Sequence, residues 1–153
     1  QGIHDESEVN AFESLGGFSS ELSTDLKGVL LNQVVPALEV RDITAFGSGI
    51  SLIQKQVGDF FKPVQGGRFL SEKVAEILEC AERNGAAGIG QSSWGPTGFI
   101  LVDGTAAALR MKSNLEKLSR ESDVRFEVRA ARNSGATIEV EHLDLAHHAM
   151  TGN

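Results

Sequence analysis

The sequence predicts an α+β domain, with helices in its first half and two short hairpins separated by a helix in its second. Three observations carry that expectation. Apolar residues recur at steps of three and four from Leu22 to Phe60, the period of helices with one buried side. The stretch Gly85-Ala86-Ala87-Gly88-Ile89-Gly90-Gln91-Ser92-Ser93-Trp94-Gly95-Pro96-Thr97-Gly98-Phe99-Ile100-Leu101-Val102 is Gly-rich, then apolar with β-type residues. That is the composition of two strands about a turn. Val124 to Arg129 alternates, Asn133-Ser134-Gly135 turns, and Ala136 to Val140 alternates again. Four short strands with helices on one side make an α+β sandwich.

The bulk composition bounds the function. The chain has 153 residues, the size of one domain, and is 41% hydrophobic, so it folds around a core. Its formal charge is −7 and it has no Lys/Arg run. That argues against general nucleic-acid binding. An anionic substrate must be held by local donors or a metal, against the global field. Cys80 is alone, so no internal disulfide forms; beside a helix's apolar face it reads as packing rather than catalysis. That usage suits a reducing cytosol. No apolar run approaches the roughly 20 residues of a membrane helix. The first residue is Gln1, as expected of a processed form or a piece of a longer chain.

Residues 1–84 form the helical part. Gly2 to Leu15 is an acidic, weakly helical segment ended by Gly16-Gly17. Ser19 or Ser20 caps the next helix, and Pro36 ends it near Val34 or kinks it. A helix from about Ala37 to Phe60 has the strongest periodicity: Val40, Ile43, Phe46, Ile50, Ile53, Val57 and Phe60. Its Gly47 and Gly49 suit a close helix–helix crossing or a ligand pressed against the backbone, the crossing being the ordinary case. Phe61 to Phe69 is a loop bent at Gly66-Gly67. Ser71 caps a helix that Asn84-Gly85 ends.

Residues 85–141 hold the hairpin–helix–hairpin. Asp103-Gly104-Thr105 leads into a helix that reaches about Ser119 and buries Ala108, Met111, Leu115 and Leu118. Residues 142–153 are a polar tail with His142, His147 and His148. A histidine pair in a polar tail is ordinarily a solvated end, and no ligand set for a metal completes it.

Two loops carry the candidate chemistry. The turn through Ser92, Ser93 and Trp94 offers backbone N–H groups and two hydroxyls on one side, a surface suited to phosphate or carboxylate. The plainer reading is a tight hairpin with Trp94 packed over it. Arg68, on the other Gly-rich loop, points into solvent or clamps an anion, since its fork matches phosphate and carboxylate.

The run from Ala86 to Thr97, with Gln91-Ser92-Ser93-Trp94-Gly95-Pro96-Thr97 at its centre, resembles the C-terminal glycine-rich motif of the GHMP kinase superfamily. Its form is similar to one branch, the β-ribofuranosylaminobenzene 5′-phosphate synthases. Pro36-Ala37-Leu38 through Asp42, Phe46-Gly47, Gln54, and Gln65-Gly66-Gly67-Arg68 agree with that branch, so the likeness spans nearly the whole chain. It implies a single C-terminal domain over residues 1–153 with a ferredoxin-like core, lacking an N-terminal domain with its Gly-Ser-Ser phosphate loop. It also implies a cytoplasmic enzyme of tetrahydromethanopterin biosynthesis. That enzyme joins 4-aminobenzoate or 4-hydroxybenzoate to 5-phosphoribosyl 1-pyrophosphate with loss of CO₂ and pyrophosphate, and the fragment alone would be inactive.

On this resemblance Gln65, Gly66, Gly67, Gly88, Gly90, Ser92, Ser93, Trp94, Gly95 and Thr97 bind substrate or phosphate. Arg68 and Gln91 act in catalysis, Arg68 as a second phosphate donor or a clamp for the arylcarboxylate and Gln91 as an orienting group. Trp94 stacks on the aromatic substrate. Mg²⁺ arrives with the phosphates, and no residue here is assigned to it. The partners are small molecules and the missing domain; exposed apolar sheet positions could form a homodimer. Two other functions fit the same residues: an ATP-dependent small-molecule kinase of the superfamily, and a non-catalytic ligand-binding or dimerising module.

Overall fold

Helix α4, Ile43–Gln65, is the spine on which the other elements are placed. The computed structural model describes residues 6–120 and 122–138. Before α4 come α1 (Glu6–Leu15), α2 (Ser20–Val29), a π-helical turn (Leu30–Val34) and α3 (Val35–Glu39). After it come α5 (Glu72–Arg83), the strands β1 (Gly88–Gln91) and β2 (Gly98–Leu101), and α6 (Gly104–Leu118). The strands pair antiparallel, with Ile89 opposite Ile100 and Gly90 opposite Phe99.

The helix starts follow from local chemistry. Ser19 accepts from the Leu22 N–H, and Ser71 from the Val74 N–H, as expected of N-caps. The expected helix from Ala37 is instead two helices. The Asp42 carboxylate accepts from the N–H groups of Thr44 and Ala45, so it starts α4 there and leaves Val40 75% exposed in the break. Pro36 neither ends nor sharply breaks the preceding helix. The turn before it widens, with the Val35 N–H bonding to the Leu30 carbonyl. A wider turn relieves the clash a proline ring makes four residues back.

The loop expected from Phe61 starts later. Residues 61–65 continue α4 through Pro63, and Gly66, at φ +85°, closes the helix onto the Lys62 carbonyl.

The core lies between α5, the hairpin and α6. Phe69, Ile77, Leu78, Ala81, Ile89 and Leu115 are buried together, with Cys80, Ile100, Met111, Val124 and Phe126 packed around them. Cys80 thus has the packing place expected of it. Leu118 does not join this core and is 69% exposed.

The described residues hold two strands rather than four. Residues 122–138 form neither helix nor strand, and the end of the second expected hairpin, 139–141, lies outside the described residues. The alternation survives as burial: Val124, Phe126 and Val128 are half-buried, while Arg125, Glu127 and Arg129 are exposed. Alternation chooses the face of a strand, but a strand also needs a neighbour's backbone to pair with. The tail from His142 also lies outside the described residues. No helix among them is long and apolar enough to cross a membrane.

Candidate functional site

The site is built where α4 runs along β1. Its inward stripe is Gly47, Ser51, Gln54, Gly58 and Gln65, spaced so that one helix face carries all five. Gly47 meets the strand backbone to backbone: a Cβ there would lie 2.2 Å from the Ala87 carbonyl oxygen. The crossing is therefore helix on strand; Gly49, against Val34, gives the helix–helix contact. Farther along, the Ser51 hydroxyl accepts from the Ile89 N–H at 2.8 Å, and the Gln54 carbonyl oxygen accepts from the Gln91 N–H at 2.9 Å. These side chains take the place of a neighbouring strand, satisfying edge amides that would otherwise be buried without a partner.

Gln91 then ties the two Gly-rich loops together. Its carbonyl oxygen accepts from the Leu70 N–H at 2.7 Å, and its amide nitrogen donates to the Ser93 carbonyl at 2.9 Å. Gln65 is buried and its amide nitrogen donates to the carbonyls of Gly58 and Arg68. Ser93 has φ +53°, a left-handed conformation few non-glycine residues adopt. The turn is closed by the Ser92 N–H on the Thr97 carbonyl and the Gly95 N–H on the Ser92 carbonyl.

A cleft of about 250 Å³ opens between these loops and α4. Gln65, Arg68, Gln91, Ser93 and Trp94 line it, so the fold brings together five of the residues the sequence singled out. Phe12, Gln54, Val57, Gly58, Phe61 and Phe69 complete the lining. Gly66, Gly67, Ser92, Gly95 and Thr97 are not part of that lining; Ser92 and Thr97 are exposed on the turn.

Gly88 and Gly90 also lie off the lining, buried in β1. A Cβ on Gly88 would meet the Gly47 backbone at 2.5 Å, and one on Gly90 would meet the Phe99 ring at 2.3 Å. These glycines are required by packing. The Ile89 and Gln91 N–H groups between and beside them donate to Ser51 and Gln54 of α4.

Arg68 is not a free cation. Its guanidinium makes two bonds of 2.8 Å to the Asp59 carboxylate, an ion pair about half exposed on both sides. The Arg68 hydrogen bond holds the Asp59 carboxyl below its ordinary range, and the same bond raises Arg68. The pair fixes the guanidinium at the cleft while leaving one edge of the fork unassigned to Asp59.

Trp94 is 6% exposed, and its indole Nε1 has no hydrogen-bond partner. A buried donor in that state costs about 1–3 kcal/mol. Phe12 stacks on its face at 4.9 Å, and Phe61 meets it edge-on at the same separation. Phe18 and Phe60 extend the aromatic group. Phe12 and Phe61 were not among the expected site residues: Phe12 reads as the apolar side of a helix, and Phe61 as the start of a loop.

The family described as GHMP kinases C terminal matches residues 34–120, from the end of the π-helical turn to just beyond α6. The chain is 27% identical over 142 residues to a protein of Archaeoglobus fulgidus named β-ribofuranosylphenol 5′-phosphate synthase. The aligned part covers 92% of this chain and 42% of that relative, so the chain spans less than half the relative's length. No solved structure matches the chain. The family match covers more than half of the residues and contains every element of the cleft except α1; the chain belongs to the GHMP kinase C-terminal family.

Proposed function

We infer that the chain is the C-terminal half of a cytoplasmic synthase that joins an arylcarboxylate, 4-hydroxybenzoate or 4-aminobenzoate, to 5-phosphoribosyl 1-pyrophosphate in tetrahydromethanopterin biosynthesis. The observation that carries this reading is the cleft itself. It sets an aromatic wall, Trp94 and Phe61, beside amides and one guanidinium in a single recess. A flat ring with an anionic substituent suits that lining. Similarity across 92% of the chain to a synthase of ribofuranosylphenol phosphate supports the same reaction class. On this reading the segment from Val124 belongs to a four-stranded ferredoxin-like sheet.

In the reaction, a bond forms between the ring carbon and ribose C1. The C1–oxygen bond breaks, and its electron pair leaves with pyrophosphate. The ring–carboxylate bond breaks as CO₂ departs, and its electrons restore aromaticity. This chain's residues bind and orient. Trp94 and Phe61 hold the ring plane, Arg68 receives the carboxylate, and Gln91 keeps the two loops at fixed separation. The exposed Ser92, Ser93 and Thr97 hydroxyls offer donors to phosphate oxygens at the turn.

Among the described residues no group of three or more His, Cys, Asp or Glu side chains could hold a metal ion. Asp59 is engaged by Arg68. The described residues do not make a protein-held Mg²⁺ site.

The test uses the intact enzyme with carboxyl-labelled 4-hydroxybenzoate and 4-aminobenzoate. Labelled CO₂ released in the presence of phosphoribosyl pyrophosphate, and absent without it, is the expected result. Arg68→Ala should then lower kcat or raise KM for the acid at least tenfold, about 1.4 kcal/mol. A family of kinases supports one other reading. ATP consumed with small alcohols, and no CO₂ release, would assign the chain to a kinase.

A further inference from the structure

The ring of Trp94 is covered by two residues of different standing. Phe61 is built into α4 and half-buried. Phe12 stacks on the indole with an interplanar angle of 24°, yet it is 50% exposed, and Val9 on the same helix is 56% exposed. Helix α1 ends at Gly16, φ +67°, and neither Gly16 nor Gly17 has any atom within 4 Å of where a Cβ would stand. Between α1 and Phe18, which packs on Phe60, the connection is thus two glycines with nothing against them. At the edge of the Trp94 ring the buried indole N–H has no acceptor. Phenylalanine supplies a ring to stack on Trp94 and nothing to that donor.

We propose that the face of Trp94 is a binding site for a flat aromatic ring bearing an oxygen acceptor, that Phe12 stands in for this ring, and that α1 moves away about Gly16-Gly17 when the ligand enters. The inference rests on the synthase reading for the ligand's class, an aryl acid. Such a ligand keeps the stacking that Phe12 gives and carries an oxygen past the ring's edge to the one buried unpartnered donor among the described residues, the indole N–H, with Arg68 lining the same cleft for its charge. Because the ligand exchanges with Phe12, removing Phe12 raises affinity.

Within these 153 residues Trp94 is the one tryptophan, and a Trp94→Phe blank isolates its emission in the intact enzyme. The experiment compares the full chain with Phe12→Ala, using 4-hydroxybenzoate as probe and cyclohexanecarboxylate as the saturated control. Calorimetric titration should show the aromatic acid bound at least fivefold more tightly by Phe12→Ala, and more tightly than the control by both proteins. Trp94 emission should shift to the red in unliganded Phe12→Ala. In the unsubstituted chain the probe should speed amide exchange across α1 and slow it across residues 92–97. Equal or weaker affinity in the variant, or α1 amides protected by the probe, would overturn the proposal. Phe12→Leu, which keeps the apolar contact but not the stacking, should move affinity in the same direction if Phe12→Ala does not fold. If no form binds the probe, the proposal falls. Release of CO₂ by the intact enzyme would still decide the synthase reading separately.

Discussion

Helix α4 carries two stripes, and the less hydrophobic one is the more deeply buried. Ile43, Phe46, Ile50, Ile53, Val57 and Phe60 have the strongest periodicity in the sequence, and all six are half-buried. Gly47, Ser51, Gly58 and Gln65, on the neighbouring face with half-buried Gln54, are buried against β1 and the 66–70 loop. The difference lies in what each face meets. The apolar stripe meets side chains, which can share burial among several helices. The second stripe meets backbone, and backbone demands either no side chain or one that accepts a hydrogen bond.

The largest test of this contrast is Gly47→Ala. Its Cβ would fall on the Ala87 carbonyl, and neither side of that contact is a flexible side chain. A loss of about 3 kcal/mol or more in chemical denaturation is expected. Gly28→Ala on α2, where a Cβ would have only the Asn32 amide nitrogen near it, at 4.0 Å, should instead stabilise by about 0.5–1 kcal/mol. Equal effects at the two glycines would break the distinction.

Ser51→Ala comes next. It leaves the Ile89 N–H buried without a partner and should cost about 1–3 kcal/mol. Leu52→Ala, one residue on and 41% exposed, should cost under about 1 kcal/mol despite removing more apolar surface. A Leu52 loss larger than the Ser51 loss would return the helix to ordinary hydrophobic packing.

The smallest effect concerns the outer end of α4, where Asp59 meets Arg68. The folded carboxyl lies below its ordinary value, so the pair stabilises fully above about pH 4 and less as pH falls through the folded value. With both partners about half exposed, its worth near neutrality is at most about 0.5 kcal/mol. Unfolding curves of the unsubstituted chain and Asp59→Asn should differ by that amount near pH 6 and converge as pH falls below the folded value. A persistent gap at low pH would mean that Asp59 acts by something other than its charge.

Much of the site could be read from local signals. Ser19 and Ser71 are caps in sequence and in structure. The hairpin around Ser92-Ser93-Trp94 forms, and the loop after Gly66 brings Arg68 to the same cleft as Gln91 and Trp94. The start of α4 was missed because apolar spacing continues across Val40, whereas the Asp42 side chain is what stops one helix and starts the next. The five-residue stripe from Gly47 to Gln65 was equally visible as spacing. It carried no hydrophobic signal, and periodicity searches weigh apolar residues.

Sequence alone determined the α+β class, the helix caps, the turn between the strands and the family motif, because each depends on residues close together in the chain. Tertiary structure decided that Gly88 and Gly90 serve packing and that Arg68 is paired with Asp59. It also decided that Phe12 covers Trp94, 82 positions further along the chain, and that Gln91 joins two loops. Those outcomes depend on which distant backbone approaches which face. A residue's type tells what it can bond to, and the fold alone says which partner is within reach.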